Sequence, residues 1–245
     1  MNSGFHIVIP ARHASSRLPG KPLRRLAGRS LIEHVHRRAA AAGALSVTVA
    51  SDDERVCACV QAFGGNALMT GANLASGSDR VAEAVGLLGL RDEEVVVNLQ
   101  GDAPLVDPEH IRAVAARALS SDVATLASAL PNQKLAADAN VVKVVLDAKG
   151  RALYFSRAPI PARHPATGIQ PRYLRHTGLY AYRCSTLKRL TGEPPCDLER
   201  MEGLEQLRAL WLGMRLSVEC VNPPPGPEVD TLDDLRRVER LLASV

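Results

Sequence analysis

The chain has 245 residues, a formal net charge of +4, 46% hydrophobic residues and only 3% aromatic residues. The hydrophobic share is enough for a sizeable core, whereas the scarcity of aromatic rings and the lack of a basic stripe argue against a nucleic-acid partner. The five cysteines are an odd number at low density, and no apolar run is long enough to span a bilayer. We therefore expect a cytoplasmic protein with no membrane insertion.

The first half of the sequence predicts strands that alternate with helices. The predicted strands are "FHIVI" (5–9), "LSVTVASDD" (45–53), "NALMT" (66–70) and "EEVVVNLQGD" (93–102). The predicted helices are "SLIEHVHRRAAAAG" (30–43), "DERVCACVQAFGG" (53–65), "SDRVAEAVGLL" (78–88) and "DPEHIRAVAARAL" (107–119). Ser30 with Glu33 predicts a capping box, and Asp107 before Pro108 predicts an N-cap. This alternation is typical of βαβ units and a mostly parallel sheet.

The second half predicts a more antiparallel arrangement. Its segments are a hairpin (140–157), a strand (175–183), an amphipathic helix (198–213), a strand (215–221) and a final helix (231–245). The helix over 198–213 is expected to place Leu198, Met201, Leu207, Leu210 and Trp211 near one face. Together the two halves predict a single α/β domain with a smaller, antiparallel half folded onto it.

A basic loop directly follows the first predicted strand. The stretch "PARHASSRLPGKPL" (10–23) carries Arg12, Arg17 and Lys21 among small residues and prolines. Ligands of open α/β sheets bind beyond the carboxyl ends of the strands, where backbone N–H groups and fixed cations suit a polyphosphate. The stretch is neither G-x-G-x-x-G nor a Walker-type loop, which disfavours a dinucleotide-binding fold and a P-loop NTPase. A solvated basic loop is the alternative interpretation.

Two aspartates are candidate metal ligands. Asp102 follows the buried strand in "VVVNLQGDAPLVD", and Asp230 precedes the final helix in "GPEVDTLDDL". Carboxylates acting together with substrate phosphates are the ligands expected for Mg²⁺, which indicates a site near the basic loop. The alternatives are a turn or cap residue for Asp102 and an acid favoured by the helix dipole for Asp230.

Further candidates lie at turns and strand ends. Ser76 and Arg80 in "ASGSDR" (75–80) predict either an ordinary helix N-cap or a turn that contacts an anion or a base. The second half offers five polar candidates, which are Arg157, His176, Tyr180, Glu205 and Gln206. Each of these five is individually also typical of half-buried packing.

Taken together, these stretches resemble the 3-deoxy-manno-octulosonate (Kdo) cytidylyltransferase family, also called CMP-Kdo synthetases. The resemblance covers residues 5–240 and rests on "IPARHASSRLPGKPL", "SGSDR", "VVVNLQGDAP", "KVVLDAKGRALYFSRAPIP", "RHTGLYAY", "LEQLRALWLG" and "VDTLDDLRRV". Other sugar-acid cytidylyltransferases share the opening loop, whereas "LYFSRAPIP", "RHTGLYAY" and "LEQLRALW" narrow the resemblance to the Kdo enzymes.

The resemblance implies a three-layer α/β/α nucleotidyltransferase-like fold, with a mixed, mostly parallel sheet and a smaller antiparallel subregion. It implies one domain over 1–245, in which 1–135 mainly binds nucleotide and 136–230 mainly binds sugar and forms a homodimer. The implied activity is Mg²⁺-dependent transfer of CMP from CTP to the anomeric hydroxyl of Kdo, with release of pyrophosphate, for lipopolysaccharide synthesis.

The resemblance also assigns roles to matching residues. It places around the nucleotide Ala11, Arg12, Arg17, Lys21, Ser76, Arg80 and Gln100. It places around the sugar acid Gln100, Arg157, His176, Tyr180, Glu205 and Gln206. The resemblance implies that Asp102 and Asp230 hold the metal. It also implies that these two aspartates, Arg12 and Lys21 are the catalytic residues.

Two positions depart from the family pattern. The usual "QGDEP" reads "QGDAP", with Ala103 in place of glutamate, and Glu228 stands where glycine is usual before "VDT". The first change bears on the sugar site and the second on the affinity for metal or pyrophosphate. Ala103 keeps open a cytidylyltransferase for another sugar acid, such as an 8-amino Kdo analogue or a nonulosonic acid. A non-catalytic nucleotide-sugar-binding protein is a further alternative, against which the retained acids and loop cations argue.

Overall fold

The computed structural model describes residues 4–14, 17–168 and 170–243. Strands β1 to β11 are Phe5–Ala11, Arg25–Leu26, Arg29–Ser30, Ser46–Ser51, Asn66–Met69, Val95–Asn98, Val123–Ala129, Lys143–Leu146, Ala152–Ser156, Leu174–Arg183 and Leu216–Cys220. Helices α1 to α8 are Leu31–Ala40, Glu54–Ala62, Gly77–Leu87, Pro108–Arg117, Cys184–Gly192, Asp197–Glu202, Gln206–Trp211 and Leu232–Leu242. Short 3₁₀ turns span Lys21–Leu23, Gln133–Ala137 and Pro165–Thr167. Among the described residues, no helix has both the length and the apolar character needed to cross a membrane.

Most strands belong to one mixed sheet in the order β11-β7-β10-β6-β1-β4-β5. β1 pairs in parallel with β4 and β6, and β4 pairs in parallel with β5, as the βαβ pattern predicts. β10 is antiparallel to both of its neighbours, β6 and β7, and β11 pairs in parallel with β7. The predicted hairpin is present, because β8 and β9 pair antiparallel and β8 also pairs with β10.

Helices cover both faces of this sheet. One core cluster joins the sheet to α1, α2 and α4, and a second joins it to α3, α5 and α7. Ile7 and Ile9 of β1 point into the first cluster and Val8 into the second, as the two-residue side-chain period of a strand requires. The three-layer α/β/α prediction is therefore confirmed.

The antiparallel direction of β10 determines where the second half contributes to the site. Tyr180 lies opposite Asn98, the last residue of β6, so the earlier residues of β10 extend past the carboxyl end of β6. The loops after β1 and β6 emerge at the same edge of the sheet. This edge therefore collects residues from both halves of the sequence.

The prediction of one continuous amphipathic helix over 198–213 is wrong. The helix ends at Glu202, Gly203 takes a left-handed conformation with φ of +61°, and α7 begins at Gln206. Gly203 interrupts the helix, so one continuous apolar face over 198–213 does not form. Leu207 is buried, but Met201 and Trp211 are 74% and 65% exposed.

Helix starts follow the sequence signals closely. Asp107 caps α4 with Pro108 in its first turn, and Thr231 forms a reciprocal capping box with Asp234 at α8. Ser30 caps α1 by accepting from the backbone of Glu33. The Glu33 carboxylate instead forms ion pairs with Arg29 and Arg37. Only the Ser30 half of the predicted capping box is therefore present.

Candidate functional site

A cavity of about 310 Å³ lies beyond the carboxyl ends of β1 and β6, and we call it the loop cavity. It collects side chains from the basic loop, from the turn after β6, from the start of α3 and from the residue before α8. Its lining residues are Pro10, Ala11, Arg12, Ala14, Arg17, Lys21, Pro22, Gly77, Gln100, Gly101, Asp102 and Asp230. Ligand sites of open α/β sheets lie at this edge.

Lys21 binds both candidate metal ligands at the same time. Its Nζ donates to Oδ2 of Asp102 at 2.7 Å and to Oδ1 of Asp230 at 3.1 Å. Burial alone would lower the pKa of Lys21, but Asp102 and then Asp230 outweigh burial, so the pKa lies above its usual value. The structure thus brings together two acids and a loop lysine that are far apart in sequence.

Close backbone packing holds the two aspartates at this position. The Val229 N–H donates to the Asp102 carbonyl at 2.8 Å, which ties the segment before α8 to the turn after β6. A Cβ at Gly101 would lie 2.9 Å from the Pro10 carbonyl oxygen, so only glycine lets this turn approach the end of β1. These two contacts hold Asp102 and Asp230 beside the basic loop.

Two arginines add positive charge to the loop cavity. Nη2 of Arg12 donates to the Leu74 carbonyl at 2.7 Å, which steadies the guanidinium at the cavity wall. Nη2 of Arg17 lies 3.1 Å from Oδ1 of Asp230, and this side chain is 63% exposed. Arg17 and Lys21 therefore both contact Asp230. With Arg12 included, cationic side chains outnumber acidic ones in the lining of this cavity.

Ser76 has the N-cap role that was one of its two predicted roles, whereas Arg80 is buried away from the loop cavity. Ser76 caps α3 in a reciprocal box with Asp79, and its hydroxyl donates to Glu205 at 2.9 Å. Arg80 is fully buried, and its guanidinium binds Asp52 at 2.8 Å together with the Thr70 hydroxyl. Arg80 does not line the loop cavity, and in this structure it joins α3 to the end of β4 instead of facing a nucleotide.

A second cavity of about 200 Å³ lies where β10 passes the end of β6, and we call it the strand cavity. It is lined by Asn140, Val142, Arg175, His176, Gly178, Tyr180, Leu204, Gln206 and Glu228. Three predicted sugar residues, His176, Tyr180 and Gln206, meet here. Arg175 was missed, although its position next to His176 on a strand was a usable signal.

Two other predicted sugar residues lie beside this cavity. Glu205 accepts hydrogen bonds from Ser76 and Ser78, while burial raises the pKa of its carboxyl group. The Arg157 guanidinium is bound to backbone carbonyls of Ala139 and of the α6 terminus. In this structure both side chains contact protein groups and neither lines the strand cavity.

A small third cavity of about 20 Å³, which we call the bridging cavity, shares lining residues with each of the other two. Gln100 lines both the loop cavity and the bridging cavity. Gly178 and Glu228 line both the bridging cavity and the strand cavity. The bridging cavity also contacts Ala103, one of the two positions that depart from the family pattern.

Charge in the strand cavity comes from Arg175 and Glu228. His176 is buried and its Nε2 lies 2.9 Å from the Thr125 hydroxyl; burial, aided by Arg175, lowers its pKa to about 3, so the ring is neutral near pH 7. Burial and then the neighbouring Asp102 raise the pKa of the Glu228 carboxyl group. Arg175 is therefore the cation that this cavity offers to an acidic ligand.

Comparison with known proteins agrees with this geometry. The sequence model of a family described as Cytidylyltransferase matches residues 6–216. The 3-deoxy-manno-octulosonate cytidylyltransferase of Acidovorax sp. (strain JS42) is 49% identical, over 97% of this chain and 97% of that protein. That of Vibrio vulnificus (strain YJ016) is 44% identical over 98% of each.

A solved structure gives the same result for the fold. CMP:2-keto-3-deoxy-manno-octonic acid synthetase complexed with CTP is 42% identical to this chain. It superposes with a TM-score of 0.92 over 99% of both chains. The chain belongs to the 3-deoxy-manno-octulosonate cytidylyltransferase family.

Proposed function

We propose that this protein transfers CMP from CTP to the anomeric hydroxyl of Kdo and releases pyrophosphate. The observation that carries the proposal is the loop cavity, where Arg12, Arg17 and Lys21 meet Asp102 and Asp230. A polyphosphate and a divalent cation together need this combination of fixed cations and carboxylates. The names of the relatives support CTP and Kdo as the two substrates.

Each cavity suits one substrate. The cations of the loop cavity would bind the triphosphate of CTP, and the strand cavity would bind the sugar acid, with its carboxylate at Arg175. Gln100 lies between the two and would contact both substrates, as the sequence predicts. This placement assigns the nucleotide mainly to residues 1–135 and the sugar mainly to residues 136–230.

The donor set at the loop cavity fits Mg²⁺. The described residues contain no group of three or more His, Cys, Asp or Glu side chains that could hold a metal ion alone. Asp102 and Asp230 nevertheless both contact one ammonium group, so their oxygens converge on a cation. Mg²⁺ typically takes one or two carboxylates and completes its ligands with water and phosphate oxygens. When bound, it would neutralise charge on the phosphates.

The reaction needs positioning and charge neutralisation and no covalent intermediate. The anomeric hydroxyl attacks the α-phosphorus in line with pyrophosphate, forming a new P–O bond as the bond to the leaving group breaks. Arg12 and Lys21 stabilise negative charge on the departing phosphates, and Gln100 and the strand cavity orient the sugar acid. Fixed cations in a preorganised cavity are a large source of rate enhancement for such a transfer.

The assembly proposed here is a homodimer formed through the second half of the chain. Leu153 on β9, Met201 on α6 and Trp211 on α7 are 60%, 74% and 65% exposed. α7 packs against both β9 and α6, so these exposed apolar side chains belong to one region.

The five free thiols are in keeping with the cytoplasmic location predicted from the sequence.

The proposed function is tested by measuring pyrophosphate release with CTP, Mg²⁺ and Kdo. We expect CTP to be preferred to UTP and Kdo to other sugar acids, including an 8-amino analogue and a nonulosonic acid. Release with another sugar acid but not with Kdo would reassign the substrate. Binding of CTP without release from any sugar acid would support a non-catalytic protein.

The site assignment is tested by two substitutions. Lys21→Ala and Asp102→Asn should each lower turnover by about a hundredfold or more, because each removes one electrostatic contact of the reacting phosphates. Circular dichroism should show an intact fold. Asp233→Asn is the matched control, because this carboxylate is 90% exposed on α8 and should leave turnover unchanged. Near-normal turnover of folded Asp102→Asn protein would refute the metal assignment.

A further inference from the structure

Glu228 is a carboxylate placed between the two substrate cavities. It precedes Asp230 in the segment that leads to α8, and it lines both the bridging cavity and the strand cavity. Within the described ranges, no lysine or arginine nitrogen lies within 4.0 Å of its carboxylate. The side chain is therefore not held in a protein ion pair, and it borders space that a ligand can enter.

The charges around Glu228 are of both signs. Asp102 and Asp230 repel its carboxylate, while Arg175 and Lys21 attract it. Of these four, Arg175 shares the strand cavity with Glu228, together with the neutral polar side chains of Asn140 and Gln206. A sugar acid in that cavity therefore meets one cation suited to its carboxylate and one acid suited to hydroxyl donors.

Ala103 borders the same space as Glu228. Both residues line the bridging cavity, which has a volume of only about 20 Å³. A glutamate at position 103 would project into the volume that the Glu228 side chain now borders. The two departures from the family pattern, at positions 103 and 228, thus border the same cavity.

We propose that Glu228 determines recognition of the sugar acid by accepting hydrogen bonds from its hydroxyl groups, and that it replaces a carboxylate otherwise supplied from position 103. This inference rests on the proposed function. It also replaces the expectation from sequence that the change at 228 acts on metal or pyrophosphate. Loss of Glu228 would leave buried hydroxyl groups of the sugar acid without their acceptor, so the loss is measurable.

The experiment tests whether a carboxylate at position 103 can replace the one at position 228. The variants are Glu228→Gln, Glu228→Gly and the double variant Ala103→Glu with Glu228→Gly, which keeps the number of carboxylates and nearly the same side-chain volume. For each, we would measure kcat, KM for Kdo and KM for CTP, and the binding of Kdo by calorimetry in the presence of a non-hydrolysable CTP analogue. Binding of that analogue alone shows that each variant is folded.

Glu228→Gln and Glu228→Gly should weaken Kdo binding about tenfold to a hundredfold, as expected when buried hydroxyl groups lose a well-placed acceptor, and leave CTP-analogue binding within about twofold. The double variant should bind Kdo at least about tenfold better than Glu228→Gly, because its carboxylate reaches the same hydroxyls. Asp233→Asn, the control on α8, should change neither.

Two results would overturn the inference. One is unchanged Kdo binding in Glu228→Gln, and the other is a double variant no better than Glu228→Gly. A change in CTP-analogue affinity or in the Mg²⁺ requirement that equals the change for Kdo would assign Glu228 to the metal and also overturn it. Absence of pyrophosphate release by the unmodified protein would instead contradict the proposed function, and the calorimetric comparison distinguishes the two failures.

Discussion

At the scale of single residues, His176 shows how burial changes the role that sequence suggests. The sequence predicts it as a contact of the sugar acid, and it does line the strand cavity. Its ring packs edge-on against Phe155, with centroids 4.8 Å apart, and Nε2 lies beside the buried Thr125 hydroxyl. A neutral imidazole in this position supplies hydrogen bonds and shape, whereas Arg175 supplies the positive charge.

This burial predicts a pH dependence of stability. The pKa of His176 is about 3 in the folded protein against 6.5 for the free side chain, so the unfolded chain binds the proton more tightly. The free energy of unfolding should therefore fall as the pH drops from 6.5 towards 3, by up to about 1.4 kcal/mol per pH unit. Urea unfolding of the protein and of His176→Gln at several pH values measures this contribution.

The comparison isolates His176, because every other titrating group is present in both proteins. His176→Gln should show a shallower loss of stability over this pH range, even if its stability at pH 7 is lower. Parallel curves for the two proteins would contradict the neutral, buried state of this ring.

Single residues also show what sequence can and cannot reveal about a site. Arg12, Arg17 and Lys21 could be predicted as candidates, because ligands of an open sheet bind at loops that directly follow its strands. Arg80 has the same charge, but its pairing with Asp52 depends on the packing of α3 against β4, which no local pattern records. Asp102 and Asp230 were candidate metal ligands on their chemistry, but their shared contact with Lys21 depends on packing between distant parts of the chain.

At the scale of elements, periodicity predicted most strands and helices, but it did not predict β7 or α5 and it missed the break at Gly203. The apolar positions of 198–213 fit one helical face, so the pattern alone favours continuity. The left-handed Gly203 ends α6 before α7 begins, and Glu205 at the start of α7 accepts hydrogen bonds from Ser76 and Ser78. The break thus connects the second half of the chain to the start of α3.

This role predicts a cost for any side chain at Gly203. Gly203→Ala should lower the free energy of unfolding by about 1 kcal/mol, because a Cβ disfavours the left-handed conformation. Gly86→Ala is the matched control: Gly86 lies inside α3 with nothing within 4 Å of an added Cβ, so alanine should stabilise that helix by up to about 1 kcal/mol. Urea unfolding of both variants should give shifts of opposite sign, and equal shifts would rule out a conformational role for Gly203.

At the scale of the whole molecule, the exposed apolar side chains of the two halves of the chain differ in their proposed role in the dimer. Leu87 on α3 is 58% exposed and lies in the first half, to which we assign nucleotide binding. Leu153, Met201 and Trp211 lie in the second half, on β9, α6 and α7, and α7 contacts both of the other two elements. Aromatic residues and methionine are enriched at protein interfaces, which favours the second region as the dimer contact.

The proposed homodimer predicts different effects for two matched substitutions. Trp211→Glu should shift the protein from dimer to monomer at micromolar concentration, because a buried charge opposes association across an apolar contact. Leu87→Glu introduces the same charge at a similarly exposed apolar site and should leave the dimer intact. Sedimentation velocity measures both. A monomeric unmodified protein, or dissociation by Leu87→Glu alone, would contradict this interface, and unchanged Kdo turnover by a monomeric Trp211→Glu protein would show that each chain holds a complete site.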